Sequence, residues 1–238
     1  MIFVIAAAIF VLLLLIGFLC GMTHIRFYKK TRKGAVSVAC VGDSITYGCY
    51  IPFFFARNYP SLLQKALGSG YTVNNYGKNN RTLQPDGNHP YIRSGVCRQS
   101  LSRGADVVII MLGTNDSKPC NWKDETAFRA AYEDLLRQYE EAYPGCRVIL
   151  CTPPQVGRPT GFFALLSNAC DNEKVKVISR VIRAVAADRK KEVADMSRLT
   201  EGCDDLFSFD HLHTNHQGAK AMAKLLSEII RHPARTCE

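Results

Sequence analysis

What these 238 residues lack narrows the field before any motif is considered. No repeat at solenoid or propeller periods and no low-complexity tract occurs, which excludes stacked-repeat architectures. There is no CxxC pair and no zinc-finger ligand spacing, so zinc ribbons and fingers are out. Neither GxGxxG nor a Walker motif is present, so no glycine-rich loop offers to cradle a nucleotide phosphate. A disorder signature is also missing. With 47% hydrophobic and 21% charged residues, the balance is that of a globular chain of single-domain length, able to bury a sizeable core.

What is there begins with an uncharged apolar run at residues 2–22, IFVIAAAIFVLLLLIGFLCGM. As a helix it is long enough to cross a hydrocarbon core about 30 Å thick. No Lys or Arg precedes it, and Gly21, Met22 and Thr23 make a poor small-x-small cleavage site, so the run predicts a retained transmembrane helix. A helix apolar on every face suits lipid better than a soluble core. Gly17, Phe18 and Leu19 ahead of Cys20 resemble a lipobox poorly. Arg26, Lys29, Lys30, Arg32 and Lys33 follow and supply part of the formal +9 charge. Such a flank tends to stay cytoplasmic, and it can equally bind anionic headgroups. The expectation is a single-pass membrane protein, either side open for its domain, with residues 1–23 as anchor, 24–34 as basic linker and 35–238 as one folded domain. Membrane lipid is the expected macroscopic partner, and no nucleic acid is expected. Ten cysteines leave an odd number outside the apolar run. Cys40 and Cys151 fall in strand-like runs and read as inert core thiols, while the others could pair in an oxidising space.

Beyond the linker, short β-rich runs alternate with helical patterns, which predicts an α/β parallel sheet covered by helices on both faces. Strands are predicted at 37–44, 71–77, 106–113, 147–153 and 192–197, and helices at 59–67, 124–143, 171–190 and 215–231. DVVIIMLG at 106–113 is continuously apolar, as a central parallel strand is. Two irregular stretches, near 78–98 and 154–168, are predicted to wall a site at the carboxyl ends of the strands. Tyr91, Arg93, Phe162 and Phe163 within them are candidate substrate contacts, each with packing or loop solvation as its alternative.

Chemistry concentrates in four places. Ser44, in Gly42-Asp43-Ser44-Ile45-Thr46-Tyr47-Gly48 after the first strand, sets a hydroxyl among free backbone N–H groups that can stabilise negative charge; a helix cap is the plainer alternative. In Phe209-Asp210-His211-Leu212-His213, an acid three residues ahead of a histidine can bond Nδ1–H and leave Nε2 to take a proton from a serine. Asn115, in Gly113-Thr114-Asn115-Asp116 after the central strand, can direct a fixed amide donor into the crevice or be a turn residue. Gly77, in Asn75-Tyr76-Gly77, lets a backbone N–H approach a ligand closely or simply turns the chain.

GDSITYG, the Gly77 turn, GTND and DHLH stand in the order and approximate spacing of the four blocks of the SGNH (GDSL) hydrolase family, which the sequence after the linker resembles throughout. The resemblance implies a flavodoxin-like three-layer α/β/α fold with a doubly wound five-stranded sheet in order 2-1-3-4-5. It further implies Ser44 as nucleophile, Asp210 and His213 as its triad partners, and an oxyanion hole from Ser44, Gly77 and Asn115. YPSLLQKAL, MLGTNDSKP and LCTPP look most like the carbohydrate O-acetylesterase branch. The implied activity is hydrolysis of short acyl esters, chiefly acetyl on a carbohydrate, through an acyl-enzyme and without a cofactor. Lys78, Asn79 and Asn80 depart from the small residues usual in relatives, which bears on substrate shape.

Other readings fit less of the chain. A lysophospholipase or thioesterase would use the same residues. A membrane-anchored carbohydrate-binding relative without activity would have little reason to fill every catalytic position. HLHTNH at 211–216 looks like the HxHxDH zinc motif, but Asn215 stands in place of the aspartate and only His232 remains downstream. No metal is therefore expected.

Overall fold

The computed structural model describes residues 5–6, 10–12, 28–157 and 170–233. Strands β1 (Val36–Gly42), β2 (Tyr71–Gly77), β3 (Val107–Met111), β4 (Arg147–Cys151) and β5 (Glu192–Ala194) form one parallel sheet. The parallel sheet is the one the alternating pattern predicted, and its order, β2-β1-β3-β4-β5, is the one the family resemblance implied. The central strands β1, β3 and β4 are buried on both faces because alternate side chains serve different helical layers. Ala39 and Val41 of β1, Val108 and Ile110 of β3 and Val148 and Leu150 of β4 meet one core. Its helices are α5 (Glu125–Ala142) and α6 (Asn172–Asp188), which contribute Phe128, Tyr132, Leu136, Ile178 and Ile182. The intervening residues Val38, Cys40, Ile109, Met111, Ile149 and Cys151 meet the other core. There α3 (Tyr59–Leu67) and α8 (His216–Arg231) supply Tyr59, Leu63, Met222 and Leu226.

The long helices start where their capping residues dictate. Asn58, Asp124, Asp171 and Asn215 each accept hydrogen bonds from first-turn N–H groups of α3, α5, α6 and α8 respectively, satisfying donors that have no intrahelical partner. Short helices without an amphipathic repeat were not legible in advance: α1 (Ser44–Tyr47), α2 (Phe54–Arg57), α4 (Gly95–Ser100) and α7 (Met196–Leu199). The last of these takes over part of the predicted fifth strand, because Asp195 caps it through the Arg198 N–H.

At the N-terminal side, residues 28–32 lie along β2 and run opposite to it. Tyr28 stacks on Tyr76 with ring centroids 4.8 Å apart, Lys29 exchanges two hydrogen bonds with the Asn74 side chain, and the Arg32 N–H reaches Thr72 Oγ1. Half of the predicted linker is thus laid against the domain. The predicted span at 2–22 falls mostly outside the described residues, of which 5–6 and 10–12 are helical and exposed. Among the described residues no helix is long and apolar enough to cross a membrane. Phe162 and Phe163 also lie outside the described residues. The eight described cysteines are free thiols, and burial pushes the thiols of Cys40 and Cys151 far up.

Candidate active site

The carboxyl edge of the sheet gathers the chemistry-bearing residues. Ser44 opens α1 directly after β1, with Asp43 as cap accepting from the Ile45 N–H at 2.9 Å. The one-turn helix ends at Gly48, in the left-handed region at φ 95°, a conformation that a Cβ opposes. Side chains clamp this turn from behind. Asn75 donates to Thr46 O at 2.8 Å, Asn58 donates to Tyr47 O at 3.0 Å, and Thr46 Oγ1 lies 3.3 Å from the Tyr59 hydroxyl. A serine held by a capped and clamped turn has little freedom to swing away.

His213 arrives from the loop ahead of α8. Its Nε2 lies 2.8 Å from Ser44 Oγ, and its Nδ1 lies 2.5 Å from Asp210 Oδ2. The other Asp210 oxygen accepts the backbone N–H groups of Leu212 and His213 at 3.2 and 3.1 Å. Burial alone would raise the Asp210 carboxyl, but the His213 hydrogen bond and charge and these N–H groups outweigh it and hold it below the usual carboxylate range. An ionised Asp210 fixes the imidazole with Nδ1 protonated and Nε2 free to accept the serine proton. The neighbouring histidines face elsewhere: His211 stands at φ 53° with its Nδ1 buried and unpartnered, and His216 Nδ1 lies 3.3 Å from the Arg57 carbonyl.

Asn115, 5% exposed, opens a short 3-10 turn after β3 and donates one amide hydrogen to Arg81 O at 3.2 Å. That bond ties the end of β3 to the loop after β2. Asp116 adds to the tie by accepting the N–H groups of Leu83 and Gln84, and burial pushes its carboxyl up to about 7. Burial likewise pushes Asp43 up to about 6, with its Oδ2 unpartnered.

Gly77 plays a different part from the expected one. Its N–H is already donated to Asn75 Oδ1 at 2.8 Å, and a Cβ there would meet Tyr47 N at 2.3 Å and the Thr46 carbonyl carbon at 2.6 Å. It is the glycine that lets β2 pass against the serine turn. Three residues on, Asn80 holds φ 60°, and its N–H has no acceptor among the described residues. Tyr91 is also corrected: it is 1% exposed and its hydroxyl donates to Tyr76 O at 2.9 Å, so it packs the core instead of facing a substrate. Arg93 is exposed at the end of the 3-10 turn that Tyr91 opens.

Two residues at the mouth carried no sequence signal. Tyr50, at φ 60°, sets its ring edge-on to His213 with centroids 5.0 Å apart. Phe209, next to Asp210, lies 5.1 Å from the Tyr50 ring. Lone aromatics in loops follow no period, so only the folded arrangement brings them to the site.

Serine, histidine and aspartate are thus hydrogen-bonded in series at the carboxyl edge of a doubly wound α/β sheet, beside a buried amide donor, an arrangement suited to activating a hydroxyl. Comparison with known proteins narrows this. Residues 40–221 match the GDSL-like lipase/acylhydrolase family, and the chain belongs to that family. An acetylxylan esterase of Xylanibacter ruminicola is 32% identical over 217 residues, 84% of this chain and 44% of that protein. The chain spans less than half the length of the curated relatives it matches. Among solved structures, Est24, a carbohydrate acetylesterase from Sinorhizobium meliloti, superposes with a TM-score of 0.68 at 22% identity, covering 82% of this chain and 98% of that one. The aryl esterase of M. smegmatis gives 0.67 at 22% identity, covering 83% and 99%. At those identities the likeness shows the fold.

Proposed function

We propose that this chain is a serine esterase that removes short acyl groups, chiefly acetyl, from a carbohydrate. The observation that carries the reading is the 2.8 Å approach of His213 Nε2 to Ser44 Oγ, backed by Asp210 on Nδ1. In the proposed cycle His213 takes the Ser44 proton as Oγ attacks the ester carbonyl. The tetrahedral oxyanion is met by the Ser44 N–H and the second amide hydrogen of Asn115. The third donor is assigned to the Asn80 N–H in place of Gly77. In support, Gly77 has spent its N–H on Asn75, while Asn80 adjoins Arg81, whose carbonyl holds Asn115. His213 then protonates the leaving alcohol, and water, activated by the same base, hydrolyses the acyl-serine.

The acetyl and carbohydrate assignments draw on the acetylxylan esterase relative. The apolar run at 2–22 is proposed as a membrane anchor on its length and lack of charge, with the domain on a side left open. The test is hydrolysis of acetylated xylo-oligosaccharides and of p-nitrophenyl esters from acetyl to palmitoyl, beside labelling by a serine-reactive fluorophosphonate. Acetyl esters should turn over fastest. Ser44→Ala should abolish labelling and leave only residual turnover with the fold intact. Preference for palmitoyl would favour the lipase or thioesterase reading, and a wild-type chain that does not label would indicate a binding protein.

A further inference from the structure

The leaving alcohol has to be protonated by His213, so its oxygen must come within about 3 Å of Nε2, and its carbon skeleton must then extend over whatever borders the imidazole. What borders it is aromatic and open to water. Tyr50 packs edge-on against the ring at 5.0 Å while remaining 49% exposed, and Phe209, 57% exposed, lies against Tyr50 at 5.1 Å. Neither ring is needed to fill a core. Tyr50 is held there in the left-handed region, φ 60°, a conformation that a non-glycine residue adopts only at a cost. Phe209 is fixed by its place directly before Asp210, whose carboxylate is pinned by two backbone N–H groups and His213.

Resting on the esterase reading, we propose that Tyr50 and Phe209 form the leaving-group subsite, a platform that takes a pyranose ring by stacking against its apolar C–H face. Aromatic faces carry partial negative charge and attract the weakly positive hydrogens of such a face. A sugar keeps its hydroxyl edges hydrated, which suits rings that are half covered and half in water. A long acyl chain would call for a closed apolar slot instead. The platform lies on the alcohol side of the ester, so it sets selectivity for the alcohol and leaves attack on the carbonyl unaffected.

The test compares an acetylated xylo-oligosaccharide with ethyl acetate, whose ethanol is too small to span the platform, in the full-length chain. Tyr50→Ala and Phe209→Ala should each raise KM for the oligosaccharide by about tenfold, with kcat lowered far less, and should raise KM for ethyl acetate by a markedly smaller factor. Tyr50→Phe should behave as wild type. Titration with the deacetylated oligosaccharide should show binding that weakens in the same two alanine variants. Equal losses on both esters would overturn the platform and make Tyr50 a prop for His213, and unchanged KM on the oligosaccharide would overturn it outright. If the wild-type chain hydrolyses ethyl acetate but neither binds nor deacetylates the oligosaccharide, the platform fails while the esterase reading stands. If it does none of these, both fail.

Discussion

Asn115 and Asp43 make opposite uses of burial. Asn115 is a neutral donor held by Arg81 O with one hydrogen to spare, so its contribution is expected where negative charge develops. Asn115→Ala should lower kcat by about a hundredfold or more with KM little changed; steady-state kinetics on a short ester measure it, and a change confined to KM would make the residue a binder. Asp43 instead stays close to protonation, since burial lifts its carboxyl to about 6 from an unfolded value of about 3.9. The folded chain therefore holds this proton more tightly than the unfolded chain. Its share of stability is complete below about pH 4 and drains away as pH rises to about 6. Asparagine caps a helix as well as aspartate and does not titrate. The melting temperature of Asp43→Asn relative to wild type should therefore shift in the variant's favour between pH 4 and 6. A constant gap across that window would contradict the raised carboxyl.

At the scale of elements, the serine turn depends on the strand beside it. β2 ends in Asn75 and Gly77, the first clamping α1 from its carbonyl side and the second passing within van der Waals distance of its backbone. The φ of Gly77 is ordinary, so alanine is excluded by collision with Tyr47 N and not by backbone conformation. Gly77→Ala keeps the N–H that an oxyanion donor would need. It should nevertheless lower the melting temperature by roughly 2 to 10 °C through overpacking and reduce kcat by shifting Ser44 away from His213. An alanine variant with wild-type melting and a loss only in turnover would return Gly77 to the oxyanion hole. The long elements needed no such local fit. α5 and α6 declare themselves by periodic apolar residues and a capping aspartate, whereas α1 is four residues whose placement comes from neighbours.

For the whole molecule, the direction of the leading segment matters. Residues 28–32 run back along β2, so the chain meets the domain at Tyr76, one residue from the end of β2 and beside the edge that carries Ser44. Five residues, 23–27, separate Tyr28 from the apolar run, at most about 18 Å of extended chain. An inserted run would therefore hold the sheet edge that carries Ser44 close to the bilayer. Full-length protein is expected to stay with membranes through high-salt and alkaline washes, since screening releases a basic flank but not a helix. Release by salt alone would refute insertion. A chain beginning at Gly34 should melt lower than one beginning at Thr23, because it loses the Tyr28 stack and the Lys29–Asn74 pair.

The parallel layering and the long helices were legible in the sequence because burial imposes a period of two on half-covered strands, continuous apolar runs on covered ones and 3.6 on helices, whereas the strand order came from the family resemblance alone. Ser44, Asn115, Asp210 and His213 were singled out for another reason, since short motifs in a set order carry their own spacing, and the fold brings Ser44, His213 and Asp210 within hydrogen-bond reach. Which donors remain unspent was not legible: Gly77 lost its N–H to Asn75 across two residues, and Tyr91 vanished into the core through a hydroxyl bonded to Tyr76 O. Nor was the aromatic mouth, where Tyr50 and Phe209 meet across 159 residues of chain. These outcomes depend on hydrogen-bond competition and on contacts between distant segments, and only the folded arrangement decides which groups are consumed by the scaffold and which are left facing a substrate.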